Sequence, residues 1–512
     1  MGAMSARGDW REGLPEEARL AVADLGPVAA VRFDSREVQP GDVFVCIRGE
    51  RSDGHAFASA AVEAGAVAVV VEADHASDLA ALGVPVVVVP DTRRALSSMA
   101  AAHEGFPGER LTVIGITGTD GKSTTAFLTV AALERCGAKV GLLSTIECRV
   151  AGEVVPNPTR LTTQESPFVQ ALLARMVEAG CTHAVVEATS HGLALHRLDD
   201  CRFDVAVFTN LSTDHLDFHG TMEDYRAAKA RLFAMLDEPT SKRVRRTAVL
   251  NADDPQWRFF ARATQVRKVT YGLDSDADVL ATDVMLWPDG ATFTLATGED
   301  RDDEIEASVR LPGRFNVANA AAAVTVAAAV GLDPMAAAAG VAACPGVPGR
   351  MERVEGAPFE VVVDYAHTAE ALEKVLTMLR PLVDGRVIVV FGCAGERARD
   401  RRSGLGSVAA VHADFTVLTD EDPRSEPPDA IIDEIAQAMT AAGASEGERF
   451  ERVRPRRAAI ARALEVAVPG DLVLIAGKGH ESTIEWAEGP EPWDDRVAAR
   501  EEIARRFRVD AT

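Results

Sequence analysis

The sequence predicts an α/β protein of three domains built on parallel, doubly wound sheets. Two observations carry this. Short apolar, β-branched runs alternate with Ala-rich helical stretches along nearly the whole chain. One such run, residues 111–117, passes through a glycine loop at 118–121 straight into a helix-forming stretch at 122–136. The 512 residues suffice for several domains of about 100–200 residues each.

The first domain is expected over 1–108. Its strand runs lie at 29–33, 43–47, 66–71 and 84–89, a helical piece lies at 57–64, and a Pro/Gly break at 104–108 closes it. The second, over 109–344, adds strand runs at 140–144, 184–187, 205–209 and 247–251, then a polar, strand-rich excursion at 273–308. The Ala-rich run 319–330 reads as a close-packed helix, and Thr325 with the flanking Asn319 and Gly331 argues against a membrane span. A Pro-Gly-Val-Pro-Gly linker at 345–349 opens the third domain, 345–512, with strand runs at 359–364, 386–391, 415–419 and 472–476. No short-period repeat or low-complexity tract stands out.

Composition excludes several classes of protein. Hydrophobic residues make up 47% and charged residues 26%, against disorder, collagen-like repeats and a disulfide miniprotein. The 54 Lys+Arg against 78 Asp+Glu give a net charge of −24, which opposes broad nucleic-acid binding. A local pocket can still be positive and hold a small phosphorylated ligand. Seven scattered cysteines without a CxxC point away from disulfides and thiolate metal sites and toward a reducing cytoplasm. No apolar run reaches the roughly 18 residues of a transmembrane helix, and no apolar signal core opens the chain. Membrane insertion is not expected.

The loop Gly118-Thr119-Asp120-Gly121-Lys122-Ser123-Thr124 has the context a phosphate cradle needs. Glycines let backbone N–H groups approach phosphates, and a helix N-terminus favours negative charge. Lys122 would meet the outer phosphates, and the Ser123 hydroxyl would hold Mg²⁺. A strict GxxxxGK[ST] requires glycine at 116, where this chain has Ile116. The plainer alternative is a glycine-rich turn with an exposed lysine.

The loop resembles the variant GT(N/D)GK(S/T)T of Mur ligases and folylpolyglutamate synthetases. Segments 185–193, 208–217 and 225–233 resemble the Mur ligase middle domain, and two of them end strand runs, where open α/β sheets bind ligands. The resemblance implies that Glu187 and His215 hold Mg²⁺, two ions in all, and that Lys229 carries CO₂ as a carbamate. A carbamate is an anionic oxygen donor that a hard cation accepts, whereas an ammonium would repel it. Taken singly, His215 reads as a structural histidine and Lys229 as a solvated helix lysine. The His215/His219 spacing invites zinc, but no HExxH accompanies it.

Further stretches match the same family. Those around Asn316, Arg350, Asp364 and His367 imply ATP contacts, Arg350 coming from the domain junction. In the third domain Glu421-Asp422-Pro423-Arg424 stands where the ligases adding the third peptide residue have DNPR, and Gly477-Lys478-Gly479-His480-Glu481 follows. The implied amino-acid site comprises Arg397, Asp422, Pro423, Arg424, Gly477 and Glu481. Arginines would hold a carboxylate, while Glu481 and the Gly477 carbonyl would accept from an ammonium. The added acid favours a side chain ending in an ammonium, such as lysine or ornithine; Arg424 argues for diaminopimelate. In the first domain Ser35, Glu50, Arg51 and Ser52 are implied near UDP, and Thr162, Thr163, Thr189 and Arg197 near the muramoyl peptide. Leu195 stands where many relatives carry a polar Gln.

The resemblance thus implies a UDP-binding N-terminal domain, a central P-loop-type ATPase domain and a Rossmann-like C-terminal domain. The implied activity is ATP-dependent addition of a diamino acid to UDP-MurNAc-L-Ala-D-Glu through an acyl phosphate, by a monomer. The alternatives are a folylpolyglutamate synthetase-like ligase and a non-catalytic nucleotide-binding partner protein.

Overall fold

The computed structural model describes residues 8–49, 52–155, 162–298, 302–396 and 399–507. It divides into two compact units. One comprises Met1–Asp283, Phe293–Ser308 and Val317–Cys344; the other comprises Val284–Thr292, Val309–Asn316 and Pro345–Thr512.

The first unit opens with a four-stranded parallel sheet of Val31–Arg32, Val43–Val45, Ala68–Glu72 and Val86–Val89, in chain order. Its side chains alternate between two cores. Val43, Val45, Val70 and Val87 face one, while Phe44, Cys46, Val69 and Val71 face the other. A strand buried on both faces reads as a continuous apolar run, which is why these were visible in the sequence.

The larger sheet has six parallel strands at its centre. They run in the order Arg267–Gly272, Thr247–Asn251, Phe203–Phe208, Thr112–Thr117, His183–Glu187 and Val140–Leu143. Beyond Val140–Leu143 lies the antiparallel pair Cys148–Val150 and Glu153–Val155, absent from the sequence reading. Beyond Arg267–Gly272 come Val279–Trp287, Gly290–Thr297 and Asp303–Val309, the strand-rich excursion expected at 273–308. Strand Thr112–Thr117 leads through helix Lys122–Arg135 to a strand two places away, while Phe203–Phe208 lies on its other side. Its carboxyl end is therefore the crevice where such sheets take ligands.

The second unit is built on the order Glu352–Arg353, Glu360–Asp364, Leu472–Ala476, Val387–Phe391, Phe415–Leu418 and Phe450–Arg452, parallel except at its first member. Strand Phe450–Arg452 and the hairpin Thr483–Trp486/Gly489–Pro492 are further additions to the sequence reading. The Ala-rich helix starts earlier than expected, spanning Arg314–Ala329. Asn316 thus lies in its first turn, where its side-chain amide donates to the Pro312 carbonyl at 2.8 Å.

Candidate functional site

At the carboxyl end of Thr112–Thr117 the chain turns through Gly118 at φ 150° and Gly121 at φ 81°. Only glycine fits at 118, because a Cβ there would stand 1.9 Å from Thr209 Oγ1. Thr209 ends the neighbouring strand and ties the loop in place, its hydroxyl donating to the Asp120 carbonyl at 2.7 Å. Asn210 secures the same peptide: its amide oxygen accepts from Asp120 N–H at 2.9 Å. Lys122, the first residue of its helix, curls back so that Nζ donates to the Gly118 and Thr119 carbonyls at 3.0 and 2.7 Å. Thr124 is buried beside it, and Thr125 Oγ1 donates to Asn319 Oδ1 at 3.1 Å, pinning the helix start to the Ala-rich helix.

Glu187 ends the strand on the other side, level with Ile116. Its carboxylate accepts from Ser123 Oγ at 3.0 Å and from Thr145 Oγ1 at 3.1 Å. Lys229 comes from helix Met222–Ala234 and is fully buried, its Nζ donating to the Gly118 carbonyl at 2.6 Å. The same ammonium lies 4.4 Å from the centre of the Tyr225 ring, one helical turn back. Tyr225 and Thr119 hydroxyls are 3.2 Å apart. Burial, reinforced by the nearby Lys122, pushes the Lys229 amine well below the usual lysine range. His215 caps helix Leu216–His219 in a left-handed conformation, φ 52°. Its ring meets His191 edge-on at 4.8 Å. Burial lowers its basicity, with Lys122 and Lys229 close enough to add to the effect and Asp214 opposing it.

The structure thus gathers Ser123, Glu187 and Lys229 around the loop, with His215 at its rim. The hydroxyl and carboxylate oxygens of Ser123 and Glu187 lie at hydrogen-bond separation and are the hard donors that Mg²⁺ prefers. Beside them Thr163 Oγ1 donates to the Glu187 carbonyl at 3.1 Å and lies 2.8 Å from Thr189 Oγ1. Arg197 joins the group through the Thr163 carbonyl at 3.2 Å and Glu165 at 2.7 Å. Thr162 directly precedes Thr163 in the chain. In the first sheet's domain, Ser35 starts a short 3-10 helix capped by Asp34, and the Ser52 carbonyl accepts from Gly49 N–H. Glu50, Arg51 and Arg397 lie outside the described residues.

In the second unit the expected nucleotide residues cluster. Asp364 accepts from Met351 and Ala366 N–H groups, both at 2.8 Å. Burial raises its carboxyl, and Arg350 opposes the shift. Arg350 lies 4.5 Å from the centre of the Tyr365 ring, and His367 packs 4.4 Å from it on its own account. Tyr365 also donates to Glu481 at 3.3 Å, connecting this cluster to the expected amino-acid residues. There Lys478, fully buried, meets Asp422 at 2.7 Å and Glu481 at 2.5 Å. Gly477 sits against Glu421, where a Cβ would be 2.7 Å from Oε2. Pro423 packs against Gly395, and Arg424 N–H donates to the Glu485 carbonyl at 2.8 Å.

The sequence reading gave no part to Thr145, Tyr225, Thr209 or Lys478. Thr209, Tyr225 and Lys478 lie within the motifs already singled out, and Tyr225 has one-turn spacing from Lys229; Thr145 left no signal.

A glycine loop at a switch point, a lysine at the helix start and a carboxylate with hydroxyls opposite define an α/β enzyme that uses a nucleoside triphosphate. Comparison with known proteins sharpens this. The model of the Mur ligase family, catalytic domain, matches residues 27–104. The Mur ligase middle domain matches 116–327, and the Mur ligase, glutamate ligase domain, matches 349–479. UDP-N-acetylmuramyl-tripeptide synthetase of Roseiflexus sp. (strain RS-1) is 48% identical over 93% of this chain and 94% of its own length. UDP-N-acetylmuramoyl-L-alanyl-D-glutamate--2,6-diaminopimelate ligase of Streptomyces coelicolor is 44% identical over 96% of each. A solved structure of a 2,6-diaminopimelate ligase aligns with TM-score 0.67 at 31% identity, covering 99% of this chain and 100% of that one. The chain belongs to the Mur ligase family. It has the three-domain architecture of that family and is an ATP-dependent ligase of peptidoglycan synthesis.

Proposed function

We propose that this ligase joins a diamino acid to the D-Glu side-chain carboxylate of UDP-MurNAc-L-Ala-D-Glu, in the cytoplasm. The observation that carries the reading is the meeting of Lys122, Ser123, Glu187 and Lys229 around one glycine loop. Lys122 would turn from the loop carbonyls to the outer phosphates of ATP. Ser123, Glu187 and His215 would hold Mg²⁺, which supplies charge neutralisation on the phosphates. The buried, poorly basic Lys229 amine suits attack on CO₂: a C–N bond forms, a proton leaves, and the resulting carbamate adds an oxygen ligand. By the family resemblance Asn316, Arg350, Asp364 and His367 would be further ATP contacts.

The D-Glu carboxylate oxygen then bonds to the γ-phosphorus, and the bond to the ADP oxygen breaks. The amino nitrogen next attacks the acyl carbon, phosphate departs, and the amine proton passes to solvent. Thr163, Thr189 and Arg197 would orient the peptide, and Ser35 and Ser52 the uridine end. Excluding water protects the acyl phosphate from hydrolysis.

Among diamino acids we put 2,6-diaminopimelate first. Asp422, which by itself favours a purely cationic side chain, shares the Lys478 ammonium with Glu481, at 2.7 and 2.5 Å, so part of its charge is already met. Arg424 remains to serve a second carboxylate, and several relatives are named for diaminopimelate. The test is ADP release with UDP-MurNAc-L-Ala-D-Glu and each of meso-diaminopimelate, L-lysine and L-ornithine. Turnover fastest with diaminopimelate is expected. Turnover with none of the three would refute the ligase assignment, and a preference for lysine or ornithine would refute only the choice of amino acid.

A further inference from the structure

We propose that Lys478 is a specificity-determining residue of the amino-acid site: its buried ammonium disfavours side chains that end in a lone cation and favours those whose far end also carries a carboxylate. This role rests on the ligase reading above. Lys478 lies just past the end of strand Leu472–Ala476, and its side chain is wholly buried. An ammonium so placed needs anionic partners. It has two, Asp422 Oδ1 at 2.7 Å and Glu481 Oε2 at 2.5 Å. Both partners are themselves tied down. Asp422 Oδ1 also accepts from the Glu485 N–H at 2.9 Å, and Glu481 Oε1 accepts from the Tyr365 hydroxyl at 3.3 Å. The ammonium is therefore fixed at one point, unlike that of a long surface lysine.

Charge balance gives the selectivity. Three carboxyl side chains cluster here, those of Glu421, Asp422 and Glu481. Glu421 is buried against Gly477, and its Oε2 lacks a hydrogen-bond partner among the described residues. The other buried cation nearby, Arg456, is committed to Asp495 through two bonds at 2.7 Å. Lys478 is thus the charge that keeps the cluster from being a plain trap for cations. Without it, three acids would attract any second ammonium. With it, an incoming lone ammonium meets a like charge already held by the same carboxylates. A far end bearing both ammonium and carboxylate offers Lys478 an anion as well, so the repulsion is offset. Lysine and ornithine are of the first kind, and 2,6-diaminopimelate is of the second.

The test measures kcat/KM for L-lysine relative to meso-diaminopimelate in the full-length wild type, Lys478→Gln and Asp422→Asn, with UDP-MurNAc-L-Ala-D-Glu and ATP. Where lysine turns over too slowly to follow, its inhibition of the diaminopimelate reaction gives its relative affinity. Lys478→Gln should raise lysine relative to diaminopimelate at least about tenfold, a modest figure for one buried charge beside the ligand. Asp422→Asn removes an acid yet keeps an oxygen for the Glu485 N–H and for Lys478, and it should shift the ratio the other way. A lysine with a structural role alone would lower both substrates together and leave the ratio where it was. Binding of a fluorescent nucleotide reports that each variant is folded; should Lys478→Gln not fold, Asp422→Asn still decides. An unchanged ratio, or two variants that move it in the same direction, would overturn the role of Lys478. A wild type that turns over none of the three diamino acids would instead refute the ligase reading.

Discussion

Glu421 is a carboxyl whose burial has a measurable consequence. It lies at the carboxyl end of strand Phe415–Leu418, 7% exposed, with Oε2 lacking a hydrogen-bond partner among the described residues. Burial pushes it from 4.5 to about 7; Lys478 and Arg456 oppose the shift, while Asp422 and Glu481 add to it. A carboxyl more easily protonated in the folded state than in the unfolded one favours folding at low pH. That contribution is complete below pH 4.5 and is lost as pH rises toward 7. The shift of about 2.5 units, at about 1.4 kcal/mol per unit, sets an upper bound of about 3 kcal/mol. Glu421→Gln keeps the shape and removes the titration. Urea unfolding of both proteins from pH 4.5 to 7.5, followed by tryptophan fluorescence, should show the variant gaining on the wild type by up to about 3 kcal/mol as pH rises. Titrations common to both proteins cancel in the difference. A difference that stays flat, or one that falls with pH, would refute the argument from burial.

Lys122→Ala should lower kcat/KM for ADP release by a factor of about 10²–10³, the usual effect of losing one charge-stabilising donor; a loss below threefold would place the lysine outside the phosphate site. Gly118→Ala must accommodate a methyl 1.9 Å from Thr209 Oγ1 at φ 150° and should abolish ATP binding in a fluorescent-nucleotide assay while circular dichroism persists. Turnover should fall in CO₂-free buffer and return with bicarbonate, and Lys229→Gln should be inactive in both; activity indifferent to bicarbonate would speak against the carbamate. Tyr225→Phe loses the contact to the Thr119 hydroxyl but keeps the ring against Lys229, so kcat should drop by about tenfold or less with KM for the amino acid unchanged.

Strands buried on both faces were legible because burial demands a continuous apolar run. The run at 247–251 matches the strand Thr247–Asn251. Glu153–Val155 was not legible, since two of its three residues face water. Gly489–Pro492 contains two prolines, which propensity counts against a strand and which only an edge position tolerates. The helix starts at Arg314, before the Ala-rich run read from 319, just after the Pro312-Gly313 turn that the Asn316 amide closes. The strand–glycine loop–helix arrangement was legible because the three follow one another in the chain. Lys478 and Asp422, 56 residues apart, meet only through the sheet order, so their pairing could not be read beforehand. The same holds for Thr145, which reaches Glu187, and Thr209, which reaches the loop, each from just beyond the end of another strand.

The two lysines at the loop sit in different surroundings. Both donate to the Gly118 carbonyl, at 3.0 and 2.6 Å, so their nitrogens converge on a single oxygen. The helix N-terminus adds further positive potential, and two full ammoniums there would repel each other. An ion in water keeps its charge at little cost, whereas one sealed from water does not. Lys122 is only partly buried and can follow an incoming phosphate. Lys229 is 1% exposed, and both its burial and the neighbouring lysine drive it toward the neutral amine. A neutral amine is a nucleophile and an ammonium is not. On the proposed mechanism burial would assign the roles: the outer lysine would serve as a charge for phosphate, and the inner one as the nitrogen that takes up CO₂. Moving water to the inner position, for instance with Tyr225→Ala, should restore its basicity and raise the bicarbonate concentration needed for half-maximal turnover.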